Sequence, residues 1–324
     1  MSIPRPSDAS APRIAPRARR HTVAATALAL VALLAAAGDL AAQTVEPRGQ
    51  WFPDRRAFPP LLADPREVQL ATGLAWTNLF RPDAGAAERP QFAFDDPEDM
   101  RRDLHGTVAL GTTLPLWGTE PWPEGGIVVA AQAGVFARFR VEEPSRDYAA
   151  SDWMVALPIE IERNPFAARL RIVHRSSHLG DEVIEDIGVR RIEFGHEALE
   201  LLLARRLGNG RVYGGGAWIF RSNTEHERLL AGRGIRDDAA LQLGIDGTWV
   251  SWADGRLGLL AGVDWQSAQR TGWRDQFSAI AGVAARGPAG GLRLVLRYFD
   301  GPSSVGEFFL THESFWSIEL VAER

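Results

Sequence analysis

The sequence predicts an all-β fold: a single antiparallel up-and-down β-barrel of about twelve strands, of the outer-membrane type. Three observations carry this expectation. Apolar residues recur with period two over unusually long segments, the connections alternate between tight turns and long polar loops, and tryptophans gather at segment ends.

The chain opens with a leader. Arg13, Arg17, Arg19 and Arg20 run into a short apolar core from Val23 to Ala37, followed by small residues around Leu40, Ala41 and Ala42. This is the form of a secretory signal peptide and is shorter than the roughly 20 apolar residues of a membrane anchor. Cleavage is expected after Ala42, making residues 1–42 the signal peptide, 43–66 a periplasmic lead-in rich in proline and arginine, and 67–324 the barrel. There are no cysteines, so neither a disulfide framework nor a lipid-bearing cysteine is available. The formal net charge is −5, and the leader holds five of the arginines, so the remainder is more acidic still. A nucleic-acid partner is excluded on that balance. A helical membrane protein is excluded because no later stretch approaches 18 consecutive apolar residues.

Strand alternation is clearest at 127–141, where Ile127, Val129, Ala131, Ala133, Val135, Ala137 and Phe139 oppose Gln132, Arg138 and Arg140. It recurs in Trp153, Val155, Leu157, Ile159 and Ile161 against Asp152, Glu160 and Glu162, and in Leu292, Leu294, Leu296 and Tyr298 against Arg293 and Arg297. Segments of this kind fall near 67–79, 104–118, 126–142, 150–163, 166–178, 189–206, 210–222, 237–252, 255–268, 274–286, 291–300 and 313–322. Their length exceeds the five or six residues usual in soluble sheets and suits a tilted bilayer crossing of about 9 to 11. Tight turns are expected at Asn164-Pro165, Asn209-Gly210, Asp254-Gly255 and Pro288 to Gly291, and long loops at 80–103, 179–188, 223–236 and 301–312. That phase puts the short turns in the periplasm. Trp76, Trp153, Trp218, Trp265, Trp273 and Trp316 then belong to an outer aromatic belt, and Trp117, Trp122, Trp249 and Trp252 to an inner one. A soluble sandwich would also alternate, but charges recurring at mid-strand on the opposite face fit a narrow polar lumen better. Such a barrel takes outer-membrane lipid and the barrel-insertion machinery as partners.

Chemistry concentrates at Arg171-Ile172-Val173-His174-Arg175-Ser176-Ser177-His178-Leu179-Gly180-Asp181-Glu182. His174 and Ser176 are two residues apart on one strand, so they share a face within about 7 Å of each other. Their parity is that of Leu170 and Ile172, which directs them toward lipid. On the following strand the apolar parity of Leu199, Leu201 and Leu203 puts Glu193 and Glu197 on the same side. A serine nucleophile, an imidazole base and a carboxylate on the far ring nitrogen would make a hydrolase. The same residues also fit a strand ending at the membrane interface. Asp181, Glu182, Glu185 and Asp186, and separately Asp95, Asp96, Glu98 and Asp99, fit either a calcium site or a solvated acidic loop; no other cofactor is implied. Gly214 to Gly216 fits close strand packing better than a phosphate cradle.

On His174 and Ser176 the chain resembles two kinds of outer-membrane lipid hydrolase, the phospholipase A barrel and the lipid A deacylase, which carry a His-x-Ser pair on a lipid-facing strand near the outer leaflet. That resemblance implies ester hydrolysis with His174, Ser176 and Glu193 or Glu197 as the candidate set. On Leu61-Leu62-Ala63-Asp64-Pro65-Arg66-Glu67, His174 to Glu182, Val212-Tyr213-Gly214-Gly215-Gly216 and Tyr298-Phe299-Asp300-Gly301-Pro302-Ser303, it resembles the bacterial family labelled domain of unknown function 1207. This second likeness implies membership and no activity. The rival expectation is a non-catalytic structural barrel or narrow channel, with Arg138, Arg140, Glu160, Glu162, Arg169, Asp264, Arg293 and Arg297 facing inward and crowding the lumen.

Overall fold

The computed structural model describes residues 49–79, 102–121, 124–142, 147–187, 191–288 and 290–323. The expected signal peptide and the acidic run Asp95 to Asp99 lie outside the described residues.

Twelve antiparallel strands close into a barrel: β2 (Leu70–Thr77), β3 (Asp103–Thr119), β4 (Gly125–Arg140), β5 (Tyr148–Arg163), β6 (Phe166–Leu179), β7 (Gly195–Leu207), β8 (Gly210–Ser222), β9 (Ala239–Trp252), β10 (Leu257–Ala268), β11 (Asp275–Gly287), β12 (Gly290–Pro302) and β13 (His312–Glu323). Each strand pairs with its neighbours in sequence, and β13 closes on β2 from Phe315↔Thr77 to Ala322↔Leu70. Closure leaves no long edge for another chain to pair with. A short strand β1 (Gln50–Trp51) lies outside the sequence-based expectation. It exists because β2 reaches only as far as Ala109 along β3; β1 pairs with the far end of β3 at Trp117 and Gly118.

The apolar face points outward all round. Trp153, Val155, Leu157 and Ile159 are 51, 54, 62 and 42% exposed, whereas Asp152, Met154 and Glu160 turn inward. A soluble sandwich would bury the first set; a closed ring with this polarity suits a bilayer outside and a polar lumen inside. The inward set includes Arg138, Arg140, Glu160, Arg169, Asp264, Arg293 and Arg297, all buried.

Two boundaries differ from expectation for clear reasons. The seventh strand of the chain, expected from residue 189, begins at Gly195 because Ile192 and Phe194 are drawn into the covering loops. The β7–β8 turn is Gly208-Asn209, one residue earlier than expected; Leu207 pairs with Gly210, and Gly208 takes a φ of 58° that glycine tolerates.

The segment expected as a lead-in does not hang clear of the barrel. From Arg56 to Gln69 it threads the lumen as a plug, held by inward side chains of seven strands. Glu160 of β5 accepts the Ala57 and Phe58 backbone N–H groups at 3.0 Å and pairs with Arg56. Arg211 of β8 donates to the carbonyls of Pro59 and Pro60. Asp246 of β9 accepts the Leu62 N–H at 2.7 Å, and Arg297 of β12 and Ser278 of β11 donate to the Ala63 carbonyl at 2.6 and 2.7 Å. Gln242 of β9 and Gln266 of β10 hold Asp64. Arg169 of β6 forms a bidentate pair with Glu67 at 3.0–3.1 Å. Phe58 sits between the Arg169 and Arg211 guanidiniums, 4.9 and 5.4 Å from its centroid. These contacts satisfy both the plug's backbone and the lumen charges, which burial would otherwise make costly. Gly111 leaves room for the plug, since a Cβ there would lie 2.7 Å from a Val68 methyl and 2.9 Å from the Ala133 carbonyl.

At the far end the loops fold into a cover. They contain helices α1 (Asp181–Ile187) and α2 (Thr224–Ala231), which the strand pattern did not predict. Asp181 and Glu182 occupy the first turn of α1, where negative charge is favoured. In α2, His226 and Leu230 are one turn apart and buried; His226 stacks on Phe194 at 5.0 Å, and Leu230 packs with Phe194, Phe309 and Leu310. Gly306 and Glu307 in the β12–β13 loop donate backbone N–H bonds to Asp152 and to Ser177 Oγ, tying that loop inward.

Candidate functional site

Strand β6 carries two kinds of side chain in alternation. Arg169, Arg171 and Ser177 face the lumen and are buried, while Ile172 and His174 are exposed on the outer face and Ser176 shares their parity. His174 lies directly across from Glu197 of β7, and its Nδ1 is 3.1 Å from Glu197 Oε1. The acceptor there is a carboxylate, so in the neutral ring Nδ1 carries the proton and Nε2 is the acceptor nitrogen. Glu197 Oε2 is 3.7 Å from Arg221 Nε. Ser176 pairs in register with Trp153 and Gly195. Among the described residues no hydrogen bond joins Ser176 to His174.

His174 and Glu197 are therefore brought together on the outward apolar face of the barrel, with Ser176 two residues along β6 at the same parity. Glu193 is not: it precedes β7, is exposed, and its N–H bonds to Glu225 Oε2 at 3.2 Å. His178 faces outward one step further on, 3.3 Å from Arg191. Ser177 points inward to the cover.

Inside, a cavity of about 180 Å³ lies between the plug and the cover. Its polar wall includes Arg66 from the plug, Arg171 and Arg175 of β6, His196 and Glu200 of β7, and Arg270 after β10. Arg171 and Arg175 share the single carboxylate of Glu200, at 2.5 and 3.0 Å. Arg66 pairs with Asp152, and Arg270 with Asp237 at 3.1 Å. In the cover, burial and then the nearby Arg270 lower the His226 pKa to about 3, and burial raises that of Asp237. Burial also raises Glu307 to about 7, against the opposing Ile192 N–H it accepts at 2.8 Å.

The family described as protein of unknown function (DUF1207) matches residues 31–321. The chain belongs to this family. No curated protein matches the chain. Among solved structures, this family member is similar to outer membrane phospholipase A from Escherichia coli, at 13% identity and a TM-score of 0.50 over 79% of this chain and 92% of that one. An active-site mutant of the same phospholipase gives a TM-score of 0.52 at 13% identity, over 83% and 95%. The Salmonella typhi outer membrane phospholipase dimer with bound calcium gives 0.50 at 12% identity, over 81% and 94%. At these identities the likeness shows the fold, which is that of an outer-membrane β-barrel.

Sequence reasoning found the outward patch and missed the plug and the chamber. The signal for the plug was present in Leu61 to Glu67, a run with buried Leu61 and Ala63 and two acids; such a run has no use in a solvated lead-in.

Proposed function

We propose that this barrel is an acyl-ester hydrolase acting on lipids of the outer leaflet, with Ser176 as nucleophile, His174 as general base and Glu197 as the residue that orients the imidazole. The observation that carries the proposal is the Glu197 carboxylate on His174 Nδ1 at 3.1 Å, on the lipid-facing side, which leaves Nε2 for the serine two residues along the strand. In the reaction His174 Nε2 takes the Ser176 hydroxyl proton as Oγ attacks the ester carbonyl, then returns it to the departing alcohol. Water, deprotonated by the same imidazole, releases the fatty acid from the acyl-enzyme. A rotation of Ser176 about its Cα–Cβ bond is needed to form the bond to Nε2 when substrate binds, since catalytic hydrogen bonds often tighten only then. Lipid is the substrate class of the phospholipases whose fold this chain shares, and it is what the outward face meets.

The test is a fluorophosphonate serine probe on the detergent-folded barrel, with the adduct located by mass spectrometry. Labelling on Ser176 that disappears in His174→Ala supports the hydrolase. No labelling in a sample shown to be folded, or lipid hydrolysis unchanged in Ser176→Ala, removes it. A second reading, a non-catalytic structural barrel, draws on the plug, which threads the lumen and speaks against an open channel.

A further inference from the structure

In the chamber between plug and cover the ion pairs are unevenly shared. Arg66 has Asp152, Arg270 has Asp237, but Arg171 and Arg175 divide one carboxylate between them. Asp64, also in the wall, is turned to Gln242 and Gln266 at 3.1 and 3.3 Å and accepts the Arg66 N–H. Arg175 is the group left short. Its Nη2 meets Glu200 and the weakly accepting Met154 sulfur at 3.8 Å, its Nε and Nη1 have no protein partner among the described residues, and its side chain is 30% exposed into the cavity. Across the ladder from Arg175 stands His196, and Arg270 lies against both ring nitrogens of His196 at 3.3 and 3.5 Å. Apolar side chains lie beside these groups in the same lining, Phe136, Met154, Ala198 and Ile219. The Nε and Nη1 of Arg175, with the Arg270 guanidinium on the far side of His196 and apolar side chains beside them in a confined space of about 180 Å³, match a small molecule with an oxyanion at one end and carbon at the other.

We propose that this chamber is a binding site for a small phosphate-bearing solute, with the phosphate held by Arg175 and Arg270 on either side of His196. Alternation along β6 sends the side chains of His174 and Ser176 outward and that of Arg175 to the lumen, so one strand serves both, with Ser176 in the wall between them. A lipid phosphate could reach the chamber only by pulling its acyl chains through the charged wall, so the ligand is water-soluble.

The experiment is isothermal titration of the mature barrel, folded in detergent and free of phosphate, with inorganic phosphate and with glycerol 3-phosphate. Saturable binding of both is expected, at least tenfold weaker in Arg175→Gln and in Arg270→Gln, largely restored in Arg175→Lys, and unchanged in Arg205→Gln at the distant rim. Each variant is first shown to be folded by the electrophoretic shift between unheated and heated samples; Arg175→Lys keeps the test alive if Arg175→Gln does not fold. Absence of saturable binding, or equal weakening by Arg205→Gln, overturns the proposal. Transfer to nanodiscs separates the two sources of phosphate: the same affinity in phosphatidylcholine and phosphatidylglycerol discs supports a soluble ligand, and competition by phosphatidylglycerol assigns the contact to lipid headgroups and overturns it.

Discussion

Substituting Glu67 tests whether the lumen segment is a seated plug. Glu67 is fully buried and accepts three hydrogen-bond contacts from Arg169, itself 1% exposed. In Glu67→Ala the guanidinium stays buried without its carboxylate, because the Glu160 oxygens beside it are already taken by Arg56 and the Ala57 and Phe58 N–H groups. Removing one partner of a buried ion pair costs about 3–5 kcal/mol. Borne by the seated state, even the lower figure raises the unseated fraction about 10²-fold, at tenfold per roughly 1.4 kcal/mol. Replacing both partners, Glu67→Leu with Arg169→Met, should be far milder because no charge is stranded. Two assays read this: single-channel recording in planar bilayers, where the unaltered barrel is silent and Glu67→Ala opens intermittently, and trypsin cleavage after Arg66, which the barrel wall shields when the plug is seated. Deleting residues 56–69 sets the ceiling for both. The reasoning fails if Glu67→Ala is as silent and as resistant as the parent, or if the double substitution is as disruptive as the single one.

Glu197→Ala should lower lipid hydrolysis about 10²–10⁴-fold, the range of acid–base assistance, while leaving the folded barrel intact by its gel shift; equal rates would remove Glu197 from the mechanism. Gly111→Val places a branched side chain against Val68 and the Ala133 carbonyl, so the plug should loosen by about 1–3 kcal/mol, seen as earlier thermal melting of its tryptic protection. Leu294→Arg on the lipid face should cost about 2–4 kcal/mol in folding into bilayers, measured by denaturant titration in liposomes. For Glu307 the folded pKa is raised from 4.5 to about 7, so the folded cover binds the proton more tightly than the unfolded loop. Its stabilisation is present below about pH 4.5 and is lost as pH rises toward 7. Hydrogen exchange across residues 303–311 should thus be slower at pH 5 than at pH 8, with the difference reduced in Glu307→Gln.

The strands, their number and their facing were legible in the sequence because each depends on local information. Period two fixes which side of a strand meets lipid, and turns such as Asn164-Pro165 and Asp254-Gly255 punctuate it. The outward placement of His174 and Ser176 followed from parity alone. Choosing Glu197 over Glu193 did not, since that needs the β6–β7 register, which is decided by where Ile192 and Phe194 leave the strand for the cover. The helices of the cover were hidden by their brevity, each offering only one or two buried residues. The plug was beyond sequence reasoning for a different reason. Some of its partners lie more than two hundred positions away, as with Ala63 and Ser278 or Arg297, 215 and 234 residues on, and an extended segment satisfied by surrounding side chains has no periodicity of its own. Inward charges on β4 to β12 announced a polar lumen, but whether water, an ion or the chain's own amino-terminal segment would neutralise them was decided only when the barrel closed around Arg56 to Gln69.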